Sequence, residues 1–411
     1  MASWLFRNVA VLDVDRGGLL PGQDVRVEGA LITEIGGGLA PRGATTVEGG
    51  GRTLMPGLID CHVHICSDGM VNTPVLFPAM VVARAAKILR ETLLRGFTTI
   101  RDAGGADRGY RDAVEAGLFL GPRLFVAGRP ISQTGGHGDA RSQAEFCPVC
   151  ALRSEQTMRV IADGVDAVRR AVREEIRRGA DQIKVMASGG VASPADPIDY
   201  VQYSMDELRA LVDEVTRANR YAMAHAYTAP AITRAVEAGV RTIEHGNFLD
   251  EATAAQMARA GAYLVPTLIV YRRILLHGKA LGVSDLHLEK ARQVAEVGTR
   301  SLAIAQRAGV KMAFGTDLFR APKEYQAEEF LVRAEVLPAA EIIRSATVIG
   351  AEVVGMAGRL GRVAEGYLAD LLLVDGDPLA DLGLFQDQGA QLPLIMKAGM
   401  MVKNTLSGGG A

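Results

Sequence analysis

The sequence predicts an α/β chain, a (β/α)8 TIM-like barrel that carries a small β-sandwich domain built from both termini. Three observations lead there. The middle of the chain alternates short apolar runs with amphipathic helical stretches, giving eight strand–helix repeats in about 300 residues. Both ends show a different texture, short β-segments parted by glycine-rich turns. No GxGxxG follows the first central strand, which sets aside an open, doubly wound sheet for a dinucleotide. The expected division is 1–55 with 360–411 as the composite β-sandwich domain and 56–359 as the barrel.

Taken in order, the first β-segments are 4–13, 24–28, 31–35 and 45–48, with Gly36-Gly37-Gly38 and Gly49-Gly50-Gly51 as turns. The central strands are expected at 58–65, 98–103, 123–127, 182–187, 221–226, 242–245, 263–267 and 311–316. Between them, 154–178 and 204–218 read as amphipathic helices. The second opens on Ser204 with Glu207 three residues on, the signature of a capping box. The last β-segments are 371–374 and 394–397, followed by Met401-Val402, and Gly408-Gly409-Gly410 reads as a frayed tail.

Composition removes several function classes. The chain has 411 residues, 48% of them hydrophobic, enough for a large core and against intrinsic disorder. Its 45 basic and 47 acidic side chains nearly cancel, which argues against an electrostatic grip on nucleic acid or a membrane surface. Apolar stretches such as 75–83 fall far short of the ~20 residues a membrane span needs. The first residues carry no basic region followed by an apolar run, so a cytoplasmic location is expected. Four cysteines make no disulfide framework, and Cys147-Pro148-Val149-Cys150 is a lone CxxC, better read as reduced thiols than as a zinc site.

The chemistry gathers at strand ends. Of seven histidines, four close expected strands: His62 and His64 in Asp60-Cys61-His62-Val63-His64, His225 after Tyr221-Ala222-Met223-Ala224, and His245 after Thr242-Ile243-Glu244. Strand alternation puts positions two apart on one face, so His62 and His64 can share a cavity. Asp317 ends Ala313-Phe314-Gly315-Thr316. A single strand-end histidine is commonly a hydrogen-bonded structural residue. Four with an aspartate on the rim where barrels build their active sites are harder to explain that way. Lys184 lies inside the apolar run Gln182-Ile183-Lys184-Val185-Met186. A buried ammonium is costly, so either a carboxylate such as Asp102 or Glu244 pairs it, or it becomes a neutral amine able to take up carbon dioxide as a carbamate.

These residues resemble the amidohydrolase superfamily in its binuclear form with a carboxylated lysine. Leu54-Met55-Pro56-Gly57-Leu58-Ile59-Asp60-Cys61-His62-Val63-His64 is similar to that family's first-strand signature. The run from Gly361 to Val374 is similar to the segment that returns the chain to the β-domain. Gly135-Gly136-His137-Gly138-Asp139, the loop from Ser188 to Pro197, and Ala224-His225-Ala226-Tyr227 with Glu244-His245-Gly246 resemble a narrower branch. It comprises metal-dependent carboxypeptidases and dipeptidases related to the imidazolonepropionases, some of which open the amide of ochratoxin.

The resemblance implies that His62, His64 and Asp317 hold one divalent metal, His225 and His245 a second, and carboxylated Lys184 bridges them. Zinc suits this donor set first, with manganese or cobalt as alternatives. It implies attack by a hydroxide shared between two metals, with Asp317 as ligand and proton shuttle and with Tyr227 and His137 contacting the substrate. Without the resemblance, Tyr227 reads as a packed aromatic and His137 as a turn residue. The implied activity is hydrolysis of a small-molecule or dipeptide amide, releasing a C-terminal amino acid from dipeptides or N-acyl amino acids, by a homo-oligomer. Hydrolysis of lactones, cyclic amides or phosphotriesters is the alternative within the superfamily, and a non-catalytic scaffold lies further off. Arg272 and Arg273 are the guesses for a cation facing a substrate carboxylate. His277 and His287 read as surface residues on a helical stretch.

Overall fold

A computed structural model describes residues 2–67, 77–139, 141, 159–193, 196–319 and 323–406. The expectations for Cys147 and Cys150, and for the glycine tail, lie outside the described residues.

Five strands come first: β1 (Ser3–Asp13), β2 (Gly18–Glu28), β3 (Leu31–Gly36), β4 (Thr45–Glu48) and β5 (Thr53–Pro56). The central stretch supplies β6 (Leu58–Val63), β7 (Phe97–Asp102), β8 (Arg123–Val126), β9 (Ile131–Ser132) and β10 (Val160–Ile161). It continues with β11 (Ile183–Met186), β12 (Ala222–Thr228), β13 (Thr242–Phe248) and β14 (Tyr263–Val265). Helices alternate with these strands: α1 (Pro78–Leu94), α2 (Arg108–Glu115), α3 (Val165–Arg177), α4 (Met205–Arg217), α5 (Ala229–Glu237), α6 (Glu251–Ala260), α7 (Ile269–His277) and α8 (Asp285–Arg307). β15 (Leu371–Val374), β16 (Leu394–Lys397) and β17 (Met400–Asn404) end the chain.

The terminal strands do come together, in the order β17-β16-β15-β5-β1-β2-β3, with β4 branching from β1. They form one continuous hydrogen-bonded sheet where two stacked sheets were expected. The reason lies in β1. Its first half, Trp4 to Arg7, pairs in parallel with β4, its second half with β5 through Ala10 and Val11, and register shifts separate the two. A strand kinked this way serves both sides of one core, which takes Phe6, Val25, Val47, Leu54, Leu371 and Leu394.

The central strands are parallel throughout, in two groups, β6-β7-β8 and β10-β9-β11-β12-β13-β14. Asp181 joins them: its N–H donates to the Val126 carbonyl at 2.8 Å and its carboxylate accepts the Val126 N–H at 2.9 Å. At the other edge, the strand expected at 311–316 is extended but makes only an isolated bridge, Met312 with Leu264. Its backbone still reaches both neighbours, since Ala313 N–H donates to Leu264, and Phe314 and the Asp317 N–H bond to Cys61 and His62. A regular ladder fails because the Phe314 N–H is taken by the Ser345 carbonyl. The capping box at Ser204 and Glu207 forms as expected. Of the helix expected over 154–178, residues 154–158 lie outside the described residues, and the described part is helical over Val165–Arg177, behind Gly164 at φ 82°.

Segment 311–317 is strapped by a buried ion pair. Arg333 and Glu329, both fully buried, meet at 2.8 Å. The guanidinium also donates to the carbonyls of Ala313 (3.1 Å) and Pro266 (2.7 Å), while Glu329 accepts the N–H groups of Leu268 and Ile269. Arg333→Met strands a buried carboxylate, so we expect a loss of about 3–5 kcal/mol and a lower denaturant midpoint. The double variant with Glu329→Gln should recover part of that loss in the same titration.

Candidate metal centre

The site is built where β6, β11, β12, β13 and segment 311–317 end. His62 is the penultimate residue of β6 and His64 lies one residue beyond it, so the two project to the same side while Cys61 and Val63 face away. Gly315 allows segment 311–317 to approach this strand: a Cβ there would stand 2.6 Å from Val265 and 3.0 Å from the His62 Cβ. Asp317 follows at φ 48°, and His245 sits at φ 73° within β13, both in the left-handed region that L-residues seldom adopt. Such backbone strain persists only where surrounding contacts over-determine it.

Three donor atoms converge here. The His62 Nε2 lies 3.6 Å and the His64 Nε2 3.3 Å from the Asp317 carboxylate, and one ligand atom from each residue falls within 4.8 Å of the others. The opposite ring nitrogens are fixed. His62 Nδ1 donates to Glu244 at 2.7 Å, and His64 Nδ1 to the Gly104 carbonyl at 2.7 Å. A carbonyl can only accept, so Nδ1 of His64 carries the proton, and in the neutral rings both Nε2 atoms are bare lone pairs aimed at a carboxylate. That arrangement repels itself unless a cation lies between, and imidazole and carboxylate are ligands of divalent metals.

Glu244 is held ionised. Burial would raise its pKa, but Arg101 and His62 outweigh that and bring it to about 2. Arg101 Nη2 meets its two oxygens at 2.9 and 3.0 Å, and Thr242 adds a third donor. Burial would likewise raise Asp317, yet His62 and His64 draw it down to about 2. Burial, with the charge on Lys184, takes His62 to about 4. Burial, with the proximity of His137 and Lys184, pushes His225 well below the usual imidazole range, and burial with the proximity of His225 and His62 does the same to His245.

His225 and His245 face the same cavity, with ring centroids 4.7 Å apart, and His245 is 5.0 Å from His62. His225 Nε2 donates to the Gly189 carbonyl at 3.1 Å, which leaves its Nδ1 bare. His245 Nδ1 meets Thr267 Oγ1 at 2.7 Å. Lys184 is 2% exposed, and its Nζ makes no hydrogen bond or ion pair among the described residues. Burial lowers it to about 8, against the pull of Glu244 and Asp317. Pairing with Asp102 is therefore not what the lysine does. Asp102 accepts the N–H groups of Ile65, Gly104 and Ala106, fixing the loop whose Gly104 carbonyl orients His64.

Tyr227 and His137 reach the cavity too. Tyr227 packs on His245, and its hydroxyl bonds to that of Tyr271 at 2.7 Å. His137 stacks on His225 with centroids 4.2 Å apart, and its Nδ1 contacts Ser193 Oγ at 2.7 Å with Asp196 at 3.6 Å. Gly190 makes room for that ring, since a Cβ there would overlap it at 2.4 Å. All eight expected site residues thus line one cavity of about 830 Å³ of empty space, open to solvent on one side.

Two expectations fail. Arg272 and Arg273 are committed to Glu335 and Glu328, so neither is a free cation for a substrate. His287 is no bystander on the surface, because the first turn of α8 carries it into the cavity wall. Sequence reasoning also missed Asp60, Arg101, Ser193, Asp196 and Lys290. Asp60, inside the quoted motif, accepts the His62 N–H and bonds to Thr316 and Gln326. Arg101 could have been suspected as a basic residue inside an expected barrel strand. Lys290, on a helix, carries no such signal.

Lys290 holds the loop after β11. Its ammonium donates to the carbonyls of Gly190, Ser193 and Asp196, at 3.1, 3.1 and 2.6 Å. Among the described residues no helix is long and apolar enough to cross a membrane.

Comparison with known proteins places the chain in a family. The amidohydrolase family model matches residues 53–409. Ochratoxinase of Aspergillus niger is 34% identical over 364 residues, 85% of this chain and 75% of that protein. Among solved structures, an amidohydrolase is 47% identical with a TM-score of 0.95, covering 98% of this chain and 100% of the other. A prolidase complexed with N-methylphosphonate-L-proline is 46% identical with the same TM-score and coverage.

Lys290→Met should leave three loop carbonyls without their donor. We expect faster hydrogen exchange at the Gly189 and Gln202 amides, which bond to Tyr200 and Ala187, and a stability loss of about 2–4 kcal/mol. Unchanged protection of both amides would show that the ammonium does not order the loop.

Proposed function

The chain belongs to the amidohydrolase family, a hydrolase acting on C–N bonds, and from that premise we propose a binuclear metal-dependent amide hydrolase that releases a C-terminal amino acid from dipeptides or N-acyl amino acids. One observation carries the reading: bare imidazole nitrogens converge on the Asp317 carboxylate beside a buried lysine that has no hydrogen-bond or ion-pair partner among the described residues. A prolidase and an ochratoxinase among the relatives favour an acyl–amino-acid amide over a lactone or phosphotriester. The parallel strands β6 to β14 with segment 311–317 are read as one closed (β/α)8 barrel spanning 56–359, and 1–55 with 360–411 as its β companion.

In this reading His62, His64 and Asp317 would hold one divalent cation and His225 and His245 a second, with Lys184 as a further ligand once carboxylated. Zinc fits the donors best. Lys184 as a neutral amine adds to carbon dioxide through Nζ, forming the N–C bond and releasing one proton, and the resulting carbamate supplies two oxygens. Bound cations would polarise the scissile carbonyl and bring the pKa of a coordinated water toward about 7. Asp317, ionised and at the centre of the cluster, accepts the proton of the attacking water and passes it to the leaving amine. Tyr227, held by Tyr271, offers its hydroxyl to the developing oxyanion, and His137, braced by Ser193 and Asp196, offers a further donor. Glu244 keeps His62 in the tautomer that leaves Nε2 free.

The test is metal content and amino-acid release by zinc-loaded protein over dipeptides and N-acyl amino acids varied at the C-terminal residue. Release is expected for part of the panel. Asp317→Ala should lower kcat by about 10²–10⁴. Lys184→Ala should lose both activity and bound metal. Two metals with no release anywhere would move the assignment to lactones, cyclic amides or phosphotriesters, and absence of bound metal would favour a non-catalytic scaffold.

Glu244→Gln keeps the shape of the side chain and removes its charge. We expect metal affinity to fall by about 10–100-fold, read by competition with a chelator.

A further inference from the structure

Arg159 lines the cavity that contains the six proposed ligands. Its guanidinium makes no hydrogen bond and no ion pair among the described residues. Two carboxylates lie within electrostatic reach, Asp139 and Asp196, and both have nearer partners. Asp139 accepts from Arg141 and from the Gly135 N–H, while Asp196 accepts from Ser193 and Gln202 and faces His137. Arg159 cannot shed its charge, because a guanidinium stays protonated at any physiological pH. A half-buried cation that cannot neutralise and has no pair among the described residues makes its surroundings complementary to an anion.

The other cations near the site are committed. Lys290 is held by three carbonyls, and Arg272 and Arg273 by glutamates. Lys184 is buried between the histidines and Asp317. Among the described cavity-lining residues Arg159 is therefore the one guanidinium. Its planar fork matches a carboxylate through two parallel N–H donors. Elsewhere the cavity wall is apolar, with Val191, Val270, Ile274 and Val283.

We infer that Arg159 binds the free α-carboxylate of the substrate's C-terminal residue, and that the apolar wall receives an apolar side chain. The identity of the bond cleaved rests on the amide-hydrolase reading above, but carboxylate binding does not. The substrate class narrows to acyl-amino acids and dipeptides with a free, apolar C-terminal residue, and C-terminal amides become poor substrates.

The experiment uses two probes that need no hydrolysis, L-leucine and L-leucinol, which differ in the carboxylate. Binding to zinc-loaded protein is measured by calorimetry for the parent, Arg159→Met and Arg159→Gln, with metal content and melting temperature confirming that the variants fold. The parent should bind leucine about ten- to a hundredfold more tightly than leucinol, and both variants should lose that preference. With N-acyl amino acids the variants should raise KM by a similar factor and change kcat far less. Preferential leucine binding that needs Arg159, without hydrolysis of any N-acyl amino acid, would keep this inference and overturn the amide-hydrolase reading. Equal binding of the two probes by the parent, no measurable leucine binding, or a preference that survives both substitutions would overturn the inference itself.

Discussion

Arg101, Glu244 and His62 form a chain of charge and hydrogen bonds from β7 to β13 to β6, with none of the three more than 1% exposed. Arg101 also donates to the Cys61 carbonyl and to Thr242, so one guanidinium ties three strands together. Desolvating such a pair costs about as much as the attraction returns, so its value here is not chiefly stability. Its value is orientation. A fixed carboxylate holds the proton on His62 Nδ1, and Nε2 is left to face Asp317 and His64. Everything proposed for the site depends on that choice of tautomer.

Around this chain the backbone does as much as the side chains. Gly315 lets segment 311–317 press against β6, Gly190 admits the His137 ring beside His225, and the Gly104 and Gly189 carbonyls orient His64 and His225. Asp317 and His245 accept left-handed φ values in the same place. The metal-ligand candidates therefore stand on strand ends, whereas His137, Ser193 and Asp196, the part proposed to meet the substrate, hang on loops. Lys290 gives one of those loops a fixed shape through its three carbonyl contacts.

Several features were legible because they depend on local periodicity. His62 and His64 share a face because a strand alternates, and the Ser204–Glu207 box forms because a cap is made within four residues. Others were not. The expected eighth strand is reached by both neighbours but denied a ladder by Ser345, a contact 31 residues away in sequence. The sandwich becomes a single sheet because β1 kinks, and His287 enters the cavity because α8 docks with its first turn over it. Arg272 and Arg273 looked available only because Glu335 and Glu328 are remote in sequence.

The amino-acid sequence by itself determined the family, the α/β texture, the pairing of both termini in one β unit, and the set of histidines, lysine and aspartate that share the cavity. These follow from residue type and spacing along single elements, and the strand order of a parallel fold then brings their ends to one rim. Only the tertiary structure decided which nitrogen of each imidazole is free, which acids are already engaged, and that buried Lys184 and half-buried Arg159 have no hydrogen-bond or ion-pair partner among the described residues. Those properties belong to pairs of atoms from distant parts of the chain, and burial, which sets their electrostatics, exists only once the chain has closed around them.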